Sequence, residues 1–147
     1  MPAKLIYTNP NPASTVLRLV LGAVMFTHGA QLMLGWWGGY GFSATTHGFE
    51  QSGIPAVFAF LAIAAEFFGA IGLILGLCGR VAAFGIACVM AVAIVKVHAA
   101  NGLFMNWAGQ QKGEGFEYHL LVLAMAAAIM IAGSGAWSVD RALSRKL

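Results

Sequence analysis

Glu66 stands near the middle of an apolar run, Pro55 to Leu77, that carries no other ionisable side chain. A carboxyl group inside such a run costs at least ~2.5 kcal/mol to insert in a bilayer, so it should face protein or water. The other chemically capable residues sit in the remaining apolar runs. His28 and Gln31 are three apart in the first and share a helical face. Lys96 and His98 lie near the far end of the third. Glu117 and His119 open the fourth. Carboxyl and imidazole groups brought together can exchange protons with a bound ligand. They can also pair and lock helices, or ligate a metal, and the residue types alone leave these readings open. For proton handling the candidates are Glu66, His28 and His98. For ligand contact Gln31, Lys96, Glu117 and His119 join them. No metal is expected, because the E-x-x-H spacing of di-iron bundles is missing and Lys96 beside His98 would repel a cation. Nothing resembles the C-x-x-C-H haem attachment.

Membrane spans must position these groups. The chain is 60% hydrophobic and only 9% charged, against about 25% charged in soluble domains. Its apolar residues come in runs long enough to cross a hydrocarbon core of roughly 30 Å. The pattern predicts an all-α membrane protein, a single domain over 1–147. Four transmembrane helices at about 14–34, 55–77, 80–100 and 117–137 form an antiparallel bundle, with a short extra helix at 43–51 in the first outer loop. Ser14 or Thr15 is the expected cap of the first span, and Arg18 should snorkel to the headgroups. That span is too long for a signal-peptide core and is followed by no A-x-A-like cleavage site, so it should remain. Cys78-Gly79-Arg80 is the whole connection between spans two and three. At about 1.5 Å per residue, His28 lies about 15 Å above Arg18, and Glu66 about 18 Å above Cys78. Lys96 and His98 are then higher, about 24 and 27 Å above Arg80.

The cations Lys4, Arg18, Arg80, Arg141, Arg145 and Lys146 collect on one side, whereas the outer loops hold only Lys112. The positive-inside rule then makes both termini cytoplasmic. The scattering of single cations excludes a nucleic-acid surface. The two outer loops, 35–54 and 101–116, are long for a bundle. Trp36, Trp37, Tyr40, Phe42, Phe49 and Trp107 should fold them over the bundle mouth, so that His47 and Glu50 approach His98, Glu117 and His119. Cys78 and Cys88 have no ligand spacing and would be roughly 15 Å apart on one helix, which argues against thiol redox work. The glycines at 69, 72 and 76 suit close helix packing.

Arg18-Leu19 with Gly22 and His28-Gly29, then Gly53-Ile54-Pro55, begin a pattern. Glu66 with Gly69, Gly72, Leu75-Gly76-Leu77 and Arg80 continues it, followed by His98, Gly102 and Phe116-Glu117-Tyr118. Gly133-Ser134-Gly135-Ala136-Trp137-Ser138-Val139-Asp140 completes it. In order and spacing these pieces resemble the DoxX family of small four-span membrane proteins, over roughly residues 15–143. The family often places a Lys three residues after the span-one His, where this chain has Gln31; Lys96 or His28 would then have to pair with the buried Glu66. The resemblance implies two function classes. One is a quinone-associated membrane subunit of an oxidoreductase system in a prokaryotic inner membrane, with quinone as the ligand, no covalently bound cofactor, and a protein partner carrying the redox centres. The other is a non-catalytic scaffold, assembly or chaperone-like protein. Either sits in the lipid bilayer and is compatible with a homo-oligomer.

Overall fold

The computed structural model describes residues 5–145; Lys4 and Lys146, two of the cations behind the orientation argument, lie outside them. The described residues contain helices and no strand. Helix α1 runs Pro12–Leu34. A 3-10 turn, Trp36–Gly38, and helix α2, Gly41–Gln51, fill the first long connection. Helix α3 is Ala56–Leu75. Helix α4 is Gly79–Ala93 and continues through a π turn, Ile94–His98, and a 3-10 turn, Ala99–Asn101. Helix α5 is Glu117–Ala132, and α6 is Val139–Ser144. Three helical stretches are long and apolar enough to cross a membrane: α1, α3 and the continuous Gly79–Asn101.

Several boundaries differ from the sequence expectation, each for a local reason. Asn11, and neither Ser14 nor Thr15, caps α1; its side chain accepts from the Ala13 N–H at 2.9 Å. Pro12 then occupies the first helical position, where its fixed φ suits the helix and its missing donor costs nothing. Ser14 and Thr15 are buried instead, and Thr15 Oγ1 donates to the Ala136 carbonyl at 2.6 Å. The fourth apolar helix stops at Ala132 and does not reach Trp137. Gly133 and Gly135 take left-handed backbone conformations there, with φ of 84° and 77°, which glycine adopts at little steric cost. Its 16 residues span about 24 Å.

Arg18 does not snorkel. It is 2% exposed and spends its guanidinium on four backbone carbonyls, those of Leu73, Ile74, Ser134 and Trp137, at 2.6–2.8 Å. The last carbonyls of α3 have no partner within the helix, and a cation at that end also suits the helix dipole. Asp140 does the converse at the start of α4. Its carboxylate accepts from the Cys78 and Gly79 N–H groups at 2.8 and 3.0 Å, and from Ser134 Oγ at 2.6 Å. Arg80 donates to the Met130 and Ile131 carbonyls at the end of α5, and to that of Tyr7. Charged caps therefore tie α1, α3, α4 and α5 together at one end of the molecule.

Away from that end, packing is apolar and close. Helix α3 buries Ala59, Ile63, Glu66, Ala70 and Leu73, a stripe at helical spacing with Glu66 in its centre. Gly22 and Gly29 bring α1 onto this stripe. A Cβ on Gly29 would lie 2.6 Å from the Glu66 and Phe67 backbone, so only glycine permits the contact. Helix α4 packs on α3 and α5, and α5 also meets α1. Leu21, Met25, Ile86, Met90, Val122 and Ile129 belong to the resulting core.

Candidate functional site: a cleft around Glu66

The Gly29 contact sets His28 and Glu66 side by side on neighbouring helices, at the wall of a cleft of about 350 Å³. Helix α1 contributes Met25, His28, Gln31 and Leu32 to the lining, and α3 contributes Glu66. Met90, Ala93 and His98 come from α4 and its π turn, Tyr118 and His119 from α5, and Met105 and Glu114 from the loop between.

The π turn explains how His98 reaches this wall. The buried face of α4 runs Gly79, Ala83, Ile86, Met90, at alternating spacings of four and three. A regular helix would continue it through Ala93 to Val97. The π turn at Ile94–His98 adds one residue to that turn, so His98 takes the place of Val97 on the cleft side. Single π turns of this kind occur often at functional sites. Lys96, two residues earlier, is left exposed and outside the cleft.

The loop before α5 fixes the imidazole. His98 Nδ1 lies 2.8 Å from the Glu114 carbonyl oxygen. A carbonyl only accepts, so Nδ1 is the protonated nitrogen and Nε2 is left for other partners. Asn101 Nδ2 donates to the same carbonyl at 3.1 Å, and the Glu114 carboxylate accepts from the Asn106 N–H at 2.6 Å. The Phe116 and Glu117 N–H groups bond back to the Gly102 and Leu103 carbonyls, which closes the loop on itself.

Aromatic rings form the far wall. His98 and His119 have ring centroids 4.1 Å apart, and Tyr118 stands edge-on to His119 at 5.5 Å. Tyr118 is also 6.1 Å from His28, and its hydroxyl lies 3.8 Å from the Met25 sulfur. His119 is 6% exposed, and its Nδ1 is buried with no hydrogen-bond partner. Glu66 is 7% exposed, and no hydrogen bond joins its carboxyl group to another of the described residues. Buried polar groups are nearly always paired. The His119 Nδ1 is closed off from the cleft, whereas the Glu66 carboxyl group lines it and is what a polar ligand would satisfy.

Of the residues singled out from the sequence, His28, Gln31, Glu66, His98 and His119 meet in this cleft. Lys96 and Glu117 do not. Glu117 accepts instead from Trp107 Nε1 at 3.4 Å. His47 and Glu50 remain exposed on α2, where His47 pairs with Gln51 at 3.0 Å. Among the described residues no three His, Cys, Asp or Glu side chains are placed to hold a metal ion together. Cys78 and Cys88 are both free. The sequence reading missed Tyr118, Glu114 and the three methionines. Met25 was accessible to it, since Met25, His28 and Leu32 share one helical face at three- and four-residue spacing.

A family model described as DoxX matches residues 13–99, from the start of α1 to the π turn of α4. The chain belongs to the DoxX family. The matched range of this DoxX protein holds His28, Gln31, Glu66 and His98 together with the Gly29 contact. The rest of the cleft, from Met105 to His119, lies beyond it. No curated protein and no solved structure matches the chain. Family membership and the apolar helices make it an integral membrane protein in contact with lipid.

Proposed function

We propose that this DoxX protein is a quinone-binding membrane subunit of an oxidoreductase system, working in a prokaryotic plasma membrane with a protein partner that carries the redox centres. The observation that carries the reading is the Glu66 carboxyl group, with no hydrogen-bond partner among the described residues, sharing one cleft with His98, whose Nε2 is left open. A head group with oxygens on opposite ring edges can engage both. A cleft of about 350 Å³ falls at the small end of ligand pockets, which suits a ring without its tail. Met25, Leu32, Met90, Ala93 and Met105 supply an apolar lining for it. In this reading Glu66 and His28 exchange protons with the head group, while His119 and His98 connect the cleft to the outer face. Glu117 has no part in that route.

The topology proposed with it makes α5 the fourth crossing of an antiparallel bundle. Helix α5 packs on α4 and α1, and the Arg80 cap at its end is level with the charged caps of the other helices. Arg18, Arg80, Arg141 and Arg145 then mark the cytoplasmic side, with Lys112 in the opposite loop, and both termini are cytoplasmic.

The test is extraction of lipids from the chain purified out of a quinone-containing membrane. About one quinone per chain is expected, with loss on Glu66→Leu, a variant that removes the polar group and keeps the helix. Equal, trace amounts in both proteins would remove the reading. A second reading, a scaffold or assembly protein, is favoured by Tyr40 and Trp107, which are 82% and 87% exposed and do not cover the cleft. A stable protein complex that forms through these side chains around a quinone-free chain would put that reading ahead.

A further inference from the structure

We infer that the cleft prefers the reduced, dihydroxy form of a quinone head group over the oxidised, dicarbonyl form; the inference rests on the quinone reading above. It follows from which hydrogen-bonding roles remain open. A quinone ring offers carbonyl oxygens, which only accept, whereas hydroquinone hydroxyls both donate and accept. His98 gives its Nδ1 proton to the Glu114 carbonyl, so Nε2 of the neutral ring is an acceptor. The Glu66 carboxyl group accepts only when ionised, and keeps an accepting oxygen when protonated. Against Glu66 and His98 Nε2, a hydroxyl is therefore satisfied in every protonation state, and a carbonyl in only some of them.

The walls point the same way. Three methionines, Met25, Met90 and Met105, line the cleft. Thioether sulfurs make favourable contacts with aromatic rings, and the hydroquinone ring is aromatic while the quinone ring is not. Thermodynamic linkage gives the preference a use: a site that holds the reduced form tighter makes the bound head group easier to reduce.

Binding to the full chain in lipid nanodiscs under anaerobic conditions tests this, with three probes. These are tetramethylhydroquinone, tetramethylbenzoquinone, and the dimethyl ether of the hydroquinone, which keeps the aromatic ring and loses both donors. An unpaired buried acceptor costs enough that the hydroquinone should bind at least about tenfold tighter than either of the others. Glu66→Gln places an amide donor in the cleft and should narrow the gap between hydroquinone and quinone. If the quinone binds as tightly as the hydroquinone, the preference is wrong while the pocket stands. If the ether matches the hydroquinone, the ring and not the donors is recognised, and the preference is again wrong. If none of the three binds, the quinone reading fails and takes the preference with it. The three-probe comparison on the unsubstituted chain decides by itself should Glu66→Gln fold poorly.

Discussion

Glu66 and Arg18 are both buried ionisable groups in the first half of the chain, yet the protein treats them oppositely. Arg18 is saturated by four carbonyls, whereas the Glu66 carboxyl group meets no hydrogen-bond partner among the described residues. The first is a structural cap and the second an open site. Arg18→Ala should therefore cost about 3 kcal/mol or more, because it removes the donors that serve the buried carbonyls of Leu73, Ile74, Ser134 and Trp137. Arg18→Lys should recover only part of the loss, since an ammonium cannot serve four carbonyls in a fixed fork. Unfolding midpoints in detergent check both; an Arg18→Ala protein as stable as the parent would show that the cap is idle. Gly29→Ala belongs at this scale too. Its Cβ would lie 2.6 Å from the Glu66 and Phe67 backbone, so α1 must move off α3. A cost of about 1–3 kcal/mol should come with weaker quinone binding, measured in the same preparation. Unchanged binding would mean that the α1–α3 contact does not set the cleft.

At the scale of elements, the sequence was informative where a side chain's role depends on its own helix and silent where it depends on another. The three-residue spacing of His28 and Gln31 and the isolation of Glu66 within its run were legible, and these residues do meet in the cleft. Arg18 looked like a snorkelling residue because nothing in its own segment shows that the ends of α3 and α5 lie beside it. Asp140 drew no role of its own from the sequence for the same reason. Gly133 and Gly135, which stop the last apolar helix at Ala132, stand in the sequence, but that Arg80 takes the freed carbonyls of Met130 and Ile131 could not be read from that segment. The π turn was beyond reach, since a regular helix with Val97 facing inward fits the same residues. Its consequence can be tested. Moving the imidazole back by one residue, Val97→His together with His98→Val, should turn it away from the cleft, which should weaken quinone binding while leaving α4 helical by circular dichroism. Unaltered binding would show that His98 does not contribute from that position.

For the whole molecule, the two ends have different work. One end is fastened by Arg18, Arg80 and Asp140, and the opposite end carries the cleft under the loop that holds His98. That division makes orientation a consequence of charge. In a background lacking Cys78 and Cys88, an Arg145→Cys thiol should react with an impermeant reagent only after the membrane is opened, and a Gln110→Cys thiol in intact cells; the reverse pattern would invert the topology. The cleft itself is tested most directly by a high-resolution map of the purified chain in quinone-containing nanodiscs. Ring-shaped density bridging Glu66 and His98, beside His28, is the expected result. A cleft closed by its own side chains, or filled by a lipid tail with Glu66 still unpaired, would contradict the account.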